Sequence, residues 1–290
     1  MNPRSRRQKL GHGVLVALAT IYCVFPIYFM LVQSLKTAQE DVFGNPLIVQ
    51  HPTLDNFEEL FEARGESRGF VGRALRRSYP FVDWLENTIV VFAGSVTVTL
   101  VASILAAYAI GRLRPPGFRW WRRVIFATYV IPQTILFVPL YQVVIRLQLD
   151  DNLLALLLVY PTMALPFCIW ILSAYFQQLP REVEEAALIE GASRTTAFLK
   201  IILPMSRPVI VTAGIFALGT IASDFTLASI FLLSQHNQTI PAGLATMDVA
   251  LDELVAVAGI NVMAIPVIVI CTVFARGYVR GLTAAMLEGA

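Results

Sequence analysis

Charged side chains are scarce in this sequence. Asp, Glu, Lys and Arg together make up 14% of the 290 residues, whereas soluble domains carry about 25%. Apolar residues make up 57% of the chain. This balance excludes an ordinary soluble domain and indicates a chain whose solvent is the lipid bilayer.

Cysteine and histidine are also rare, with three of each. The cysteines lie far apart inside apolar stretches, and the histidines lack the spacing of a metal site or a catalytic pair. These residues are Cys23, Cys168, Cys271, His12, His51 and His236. The sequence also lacks the Gly-x-x-x-x-Gly-Lys-Ser/Thr loop that binds nucleotide phosphates. We therefore expect no metal, no cofactor and no ATP on this chain, and no enzyme activity of its own.

Six apolar stretches are long enough to cross a membrane. A spanning helix needs about 20 mostly apolar residues, and backbone amides in lipid must be satisfied internally, so such stretches have to be helices. The predicted spans are 13–35, 87–111, 124–145, 152–179, 208–233 and 254–275. The predicted fold is an all-α polytopic membrane protein in which 1–290 form one transmembrane domain. Its two long connections are 36–86 and 180–207.

The placement of Lys and Arg predicts the orientation of the chain. Basic residues are frequent before the first span, between the second and third spans and in 180–207, whereas 234–253 contains none. Because basic connections favour the cytoplasm, we expect both termini and 180–207 inside and 36–86 and 234–253 outside. The formal net charge of +2 reflects this bias and gives no evidence for a nucleic-acid partner.

The 180–207 loop carries the most specific motif. It reads Glu185-Ala186-Ala187-Leu188-Ile189-Glu190-Gly191 and, nine residues later, Ile201-Ile202-Leu203-Pro204. Gly191 permits a sharp turn and Pro204 is expected to end the second helix, so we predict an elbow of two short helices. On the first helix, Glu185, Leu188, Ile189 and Ala192 share one face. This face indicates a docking surface for a partner.

These residues resemble the Glu-Ala-Ala loop of the membrane subunits of ABC-type importers, and the spacing of that pattern is complete here. The resemblance covers nearly the whole chain, is densest over 133–208, and points to the carbohydrate-uptake branch, near the second permease subunit of the maltose-type transporter. Further matching residues are Val138-Pro139-Leu140-Tyr141, Asn152, Leu165-Pro166-Phe167, Trp170, Phe176, Leu179-Pro180 and Gly281-Leu282-Thr283. One departure is Ala222-Ser223-Asp224-Phe225, where many relatives carry Trp-Asn-Asp/Glu-Phe.

The resemblance implies a permease subunit that forms half of the import pathway for a sugar or sugar derivative in a bacterial inner membrane. The implied partners are a second, homologous permease, two ATPase subunits that carry ATP and magnesium, and an extracytoplasmic substrate-binding protein. The implied ATPase-coupling residues are Glu185, Ala186, Ala187, Leu188, Gly191, Ala192 and Pro204. We expect Glu185 to form a charge-assisted hydrogen bond with the ATPase and a side chain at Gly191 to clash at the elbow or in the ATPase cleft.

Five polar residues in the spans are candidates for the substrate pathway: Asp224, Gln133, Tyr129, Asn87 and Thr162. A carboxylate within a span usually faces a bundle interior or a wet cavity. Asp224 is therefore interpreted either as a sugar ligand or as a hydrogen-bonded acid between helices. The others are weaker candidates, because polar side chains also hold helices together in membranes.

The first outer connection contains five arginines between Arg64 and Arg77, and three hypotheses remain for them. Arg73, Arg76 and Arg77 contact the binding protein, attract an anionic sugar, or lie solvated near lipid headgroups. Two other functions remain as alternatives to the importer permease. An ion-coupled carrier needs ionisable groups in its spans and Asp224 is the single candidate, while a membrane enzyme needs a nucleophile or metal set that the sequence does not show.

Overall fold

The computed structural model describes residues 3–61, 79–247 and 249–287. In these ranges the chain is helical and contains no β-strand, which confirms the all-α prediction. The α-helices are α1 (Pro3–Ser34), α2 (Ala38–Phe43), α3 (Asp55–Phe61), α4 (Phe81–Tyr108), α5 (Phe118–Val130), α6 (Gln133–Arg146), α7 (Leu153–Gln178), α8 (Arg181–Ile189), α9 (Arg194–Ala197), α10 (Leu203–Met205), α11 (Arg207–Ala222), α12 (Thr226–Phe231), α13 (Ile240–Leu244) and α14 (Val249–Leu287). Two π-helical turns, Ala109–Leu113 and Phe198–Ile202, extend α4 and α9.

Four of the described helices are long and apolar enough to cross a membrane: Gly11–Ser34, Phe81–Leu113, Leu153–Gln178 and Asp252–Phe274. Two bent helix pairs, α5 with α6 and 194–205 with α11, bring the number to six if each pair is one span. The fold is therefore that of a polytopic helical membrane protein.

Two of the predicted spans contain a break. In the region 124–145, α5 and α6 meet at a 98° bend. The bend coincides with Pro132: the residue before a proline is disfavoured in the helical region, and Ile131 is extended, with φ −67° and ψ 124°. In the region 208–233, α11 ends at Ala222 and α12 begins at Thr226.

The chain divides into two compact units, and the first consists of residues 1–82 and 244–265. Asn56 of α3 donates hydrogen bonds to the carbonyls of Ser34 (3.0 Å) and Lys36 (2.8 Å), which fixes α3 to the end of α1. Asn261 of α14 donates to the carbonyl of Met30 at 3.0 Å. The carbonyls of Ser34 and Lys36 lie beyond the hydrogen-bonded ladder of α1, so Asn56 satisfies acceptors that the helix leaves free.

The second unit consists of residues 83–243 and 266–290, and α7 is its central helix. α7 packs against α5, α6, α11 and α12, and its buried side chains include Leu156, Tyr160, Leu172 and Phe176. Two apolar clusters lie along it, one around Tyr160 and Phe231 and the other around Phe176 and Ile202. The second cluster supports the 180–207 loop.

Candidate functional site

The first helix of the 180–207 loop, α8, ends in a Schellman motif. The amide of Ala192 donates to the carbonyl of Ala187 at 2.9 Å, and the amide of Gly191 donates to the carbonyl of Leu188 at 3.1 Å. Gly191 has φ +89°, a left-handed conformation that favours glycine. Among the described residues no atom lies within 4 Å of a Cβ placed there, so a Cβ meets no clash at the elbow, and the clash of a larger side chain in the ATPase cleft stays a prediction. Glycine is favoured at position 191 by the left-handed backbone conformation and not by crowding within this chain.

The second half of the elbow is a composite helix. Ser193 caps it, because its Oγ accepts a hydrogen bond from the amide of Thr196 at 3.1 Å. α9, a π-helical turn and α10 follow without interruption. Pro204 lies one residue before the end of α10, and the chain turns by 74° at Ser206 into α11. The Oγ of Ser206 donates to the carbonyl of Ile202 at 2.7 Å, which stabilises this turn.

The predicted docking face of α8 is exposed. Ile189 is 87% exposed and Leu188 37%, and Glu185 and Ala186 are exposed beside them. Ala192 follows the turn at Gly191 and lies beyond the end of α8, so its predicted place on this helix is wrong, and it is half-buried. Ala187 points into the protein at 7% exposure. The elbow thus presents an apolar surface with an acid at its edge, while Ala187 packs inside the protein.

The structure reveals a polar contact at this loop that the sequence reasoning missed. Glu184, the residue before Glu185, forms an ion pair with Arg112 at 2.6 Å. The hydroxyl of Tyr108 donates to the other carboxylate oxygen of Glu184 at 2.9 Å. The signal available in the sequence was an arginine placed shortly after the second span, which we interpreted only as a marker of orientation.

Three of the five pathway candidates line one cleft. Tyr129, Gln133 and Thr162 line a small open cleft of about 20 Å³ between α5, α6 and α7. The ring of Tyr129 also packs near Phe167 and Phe216, with centroid distances of 5.7 and 6.4 Å. The cleft therefore combines aromatic rings with an amide and a hydroxyl.

The other two candidates form hydrogen bonds within the protein. Asp224 accepts from the hydroxyl of Tyr160 at 3.1 Å and from the amide of Leu227 at 3.2 Å, so it joins α7 to the start of α12. Asn87 donates to the carbonyls of His236 (2.8 Å) and Gln238 (3.0 Å). These contacts favour the interpretation of Asp224 as an acid held between helices.

A second polar centre, also missed from the sequence, surrounds Asp151. Its Oδ1 accepts from the amides of Leu233 and Ser234, both at 2.9 Å, and its Oδ2 accepts from the hydroxyl of Ser234. Asn237 donates to its carbonyl at 2.8 Å. The signal in the sequence was a pair of acids, Asp150-Asp151, just before the predicted fourth span.

Two further expectations concern sites away from the loop. Among the described residues, no group of three or more His, Cys, Asp or Glu side chains is arranged to hold a metal ion. The outer arginines, including Arg73, Arg76 and Arg77, lie outside the described residues, so the hypotheses for them stay predictions.

Comparison with known proteins identifies the family. Residues 99–283 match the family described as "Binding-protein-dependent transport system inner membrane component". The chain is 30% identical over 286 residues to the inner membrane ABC transporter permease protein YcjP of Escherichia coli, with 97% of each chain covered. It is also 30% identical to the trehalose/maltose transport system permease protein MalG of Thermococcus litoralis, with 94% of each chain covered.

The fold has a counterpart among solved structures. A chain of a bacterial ABC transporter involved in the import of the acidic polysaccharide alginate superposes with a TM-score of 0.78 at 19% identity, over 95% of this chain and 98% of that one. The four to six candidate membrane helices among the described residues, the complete Glu-Ala-Ala spacing and the match of 99–283 agree with one another. The chain belongs to the family of binding-protein-dependent transport system inner membrane components and is a membrane-embedded ABC transporter permease.

Proposed function

We propose that this chain forms one half of the membrane pathway of an ATP-driven importer for a sugar or sugar derivative. A second, homologous permease would form the other half, two ATPase subunits would bind the 180–207 loop, and an extracytoplasmic binding protein would deliver the substrate. The family description, which names binding-protein dependence and the inner membrane, supports this arrangement. The trehalose/maltose relative supports a sugar as the substrate.

The exposed docking face of α8 is the observation that carries the proposal. A large apolar side chain that is 87% exposed, as Ile189 is, gains most from burial in a partner. The Schellman motif at Gly191 and the Ser193 cap hold this face in a defined shape. Glu185 is exposed at the edge of the face and would make a charge-assisted hydrogen bond with the ATPase.

ATP and its magnesium would bind on the ATPase subunits, because this sequence has no phosphate-binding loop. Both termini and the 180–207 loop would lie in the cytoplasm, as the distribution of Lys and Arg favours. Closure of the ATPase pair would then displace α8 and switch the pathway from inward-facing to outward-facing.

The cleft beside Tyr129 would form part of the pathway. Sugars present hydroxyl groups and apolar ring faces, and the cleft offers partners for both kinds of surface. Gln133 and Thr162 supply hydrogen-bonding groups, while the ring of Tyr129 supplies an apolar face. Membership in the family disfavours the two other candidate functions, the ion-coupled carrier and the membrane enzyme.

The docking face can be tested by replacing one side chain. We expect Ile189→Ser to reduce co-purification of the ATPase subunits and ATP-dependent sugar uptake, because the substitution removes apolar area that the partner would bury. Leu54→Ser is the matched control, since Leu54 is apolar and 61% exposed but precedes α3. Both variants should reach the membrane in equal amounts. Wild-type ATPase binding and uptake by Ile189→Ser would contradict the proposal.

A further inference from the structure

We propose that Arg112 is a positioning residue that joins α8 to the ends of α4 and α7, so that a displacement of α8 moves the three helices as one body. This inference rests on the proposed function, because the displacement of α8 originates in the ATPase. Arg112 follows α4 in the π-helical turn Ala109–Leu113. No motif of the sequence pointed to it.

The guanidinium of Arg112 uses all three of its nitrogen atoms. Its Nε donates to Glu184 of α8 at 2.6 Å. Its Nη1 donates to the carbonyl of Leu179 at 2.7 Å and its Nη2 to the carbonyl of Pro180 at 2.9 Å, in the link between α7 and α8. The planar guanidinium of arginine directs its N–H groups in fixed directions. A lysine ammonium cannot hold the same three acceptors in one plane.

The ion pair is shielded from solvent. The side chain of Arg112 is 5% exposed and that of Glu184 12%. A buried charge that loses its partner is strongly unfavourable, so the two groups have to stay together while α8 moves. The positive charge also lies beside the carboxyl end of α7, where the helix dipole favours a cation.

Tyr108 links the same centre to the second half of the elbow. Its hydroxyl donates a hydrogen bond to the second carboxylate oxygen of Glu184, and its ring packs against Phe198 at a centroid distance of 4.4 Å. Phe198 belongs to the π-helical turn that follows α9. Both helices of the elbow are therefore tied to the end of α4.

Gly111 allows the close approach that this contact needs. A Cβ at position 111 would lie 2.8 Å from the carbonyl oxygen of Ser173 in α7. The π-helical turn inserts one extra residue before Arg114, whose amide donates to the carbonyl of Ala109 at 3.0 Å. This backbone packs onto α7 and places Arg112 beside Leu179.

Two adjacent acids thus have different tasks. Glu185 is exposed and available to a partner, whereas Glu184 is turned inward and bonded to Arg112 and Tyr108. The outward acid serves the docking of α8. The inward acid transmits its motion to the spans.

The inference can be tested with the complete transporter reconstituted in proteoliposomes. We expect Arg112→Lys to assemble with the ATPase but to lower the amount of substrate transported per ATP hydrolysed by about tenfold, because the charge remains and the three-way connection is lost. The matched control is Arg119→Lys, the same substitution at an exposed arginine in α5. A wild-type ratio in Arg112→Lys would overturn the inference, whereas a wild-type complex without ATP-dependent uptake would instead overturn the proposed function.

A distance measurement tests the single body directly, first with Arg112 unchanged and then with Arg112→Lys. Spin labels at Glu182→Cys in α8 and Leu113→Cys at the end of the π-helical turn, both exposed positions, report the separation of the two elements in a background without the native cysteines. We expect one narrow distance that is the same with and without ATP. We also expect Arg112→Lys to broaden it. A distance that changes with ATP in the otherwise wild-type chain would overturn the inference.

Discussion

At the scale of single residues, Asp151 holds two distant connections of the chain together. It has φ +56° and receives three hydrogen bonds on its carboxylate from Leu233 and Ser234. Partial burial raises the pKa of its carboxyl, but the hydrogen bonds from Ser234, Leu233 and Asn237 lower it more, and the net pKa lies below the usual value. The ionised carboxylate of Asp151 is therefore more stable in the folded state than in the unfolded state.

This lowered pKa predicts an acid-dependent contribution to stability. The stabilisation is fully present above the unfolded pKa of about 3.9 and is lost as the pH falls through the lower folded pKa. We expect Asp151→Asn to have a lower melting temperature than the wild type at pH 7. The difference should begin to shrink as the pH falls below about 4 and should disappear only below the folded pKa. Asparagine tolerates the left-handed backbone, so the substitution tests the charge.

A thermal-unfolding series in detergent measures this difference. Asp150→Asn is the control, because Asp150 is the neighbouring acid and is exposed. It should melt like the wild type at every pH in the series. Equal melting temperatures for Asp151→Asn and the wild type at pH 7 would show that the carboxylate contributes nothing to stability.

Residue identity alone does not show which of two adjacent acids faces inward. Glu184 and Glu185 have the same side chain and lie on one helix, and the sequence motif includes only the second. Arg112 and Tyr108, more than 70 positions away in the sequence, donate hydrogen bonds to Glu184 and so hold its side chain inward. The exposed face of α8 could be predicted because a helical period of 3.6 fixes which residues share a side. The contact of Glu184 with Arg112 and Tyr108 could not be predicted, because it depends on a neighbouring helix.

At the scale of helices, α13 packs on α4 with no room for a larger residue. A Cβ at Gly243 would lie 2.3 Å from the ring of Trp84, which is fully buried and donates to the carbonyl of Gln235 at 2.7 Å. We expect Gly243→Ala to destabilise the protein by about 1–3 kcal/mol, because the indole has to move. Chemical denaturation in detergent measures this change.

Gly219→Ala is the matched control for this substitution. Gly219 lies within α11, and no atom of the described residues outside its own helix lies within 4 Å of a Cβ placed there. We expect it to be neutral or to stabilise the helix by up to about 1 kcal/mol, because alanine favours helix more than glycine does. Equal effects of the two substitutions would contradict the packing argument.

The breaks in the helices show a limit of prediction at this scale. Pro132 coincides with a bend of 98°, whereas Pro139, Pro161 and Pro166 lie within continuous helices. The same residue type removes one hydrogen bond at each position. Whether the helix bends there depends on the packing of the surrounding helices, which the residue itself does not encode.

At the scale of the whole molecule, the all-α fold was predictable because the bilayer leaves one option for long apolar stretches. The division into two compact units could not be predicted from the sequence. The first unit combines 1–82 with 244–265, and contacts such as that of Asn261 with Met30, 231 positions apart, have no signature in the sequence.

The orientation of the whole chain gives a further prediction. We expect a membrane-impermeant maleimide to label Gln235→Cys in intact spheroplasts and to label Thr195→Cys only after permeabilisation, because 234–253 lacks basic residues and 180–207 contains them. Both positions are exposed. The three native cysteines should be replaced by alanine beforehand. The reverse labelling pattern would invert the proposed topology.

The contacts of α4 have a consequence for how the protein is made. Its residues Trp84, Asn87 and Thr88 bond to residues 235–240, at sequence separations of 149 to 152. At roughly 5–20 residues per second, the ribosome needs about 8 to 30 s to supply this segment. Until then water, lipid headgroups or the insertion machinery have to satisfy these polar groups. The polar contacts of α4 are therefore completed only after the segment that follows α12 has been synthesised.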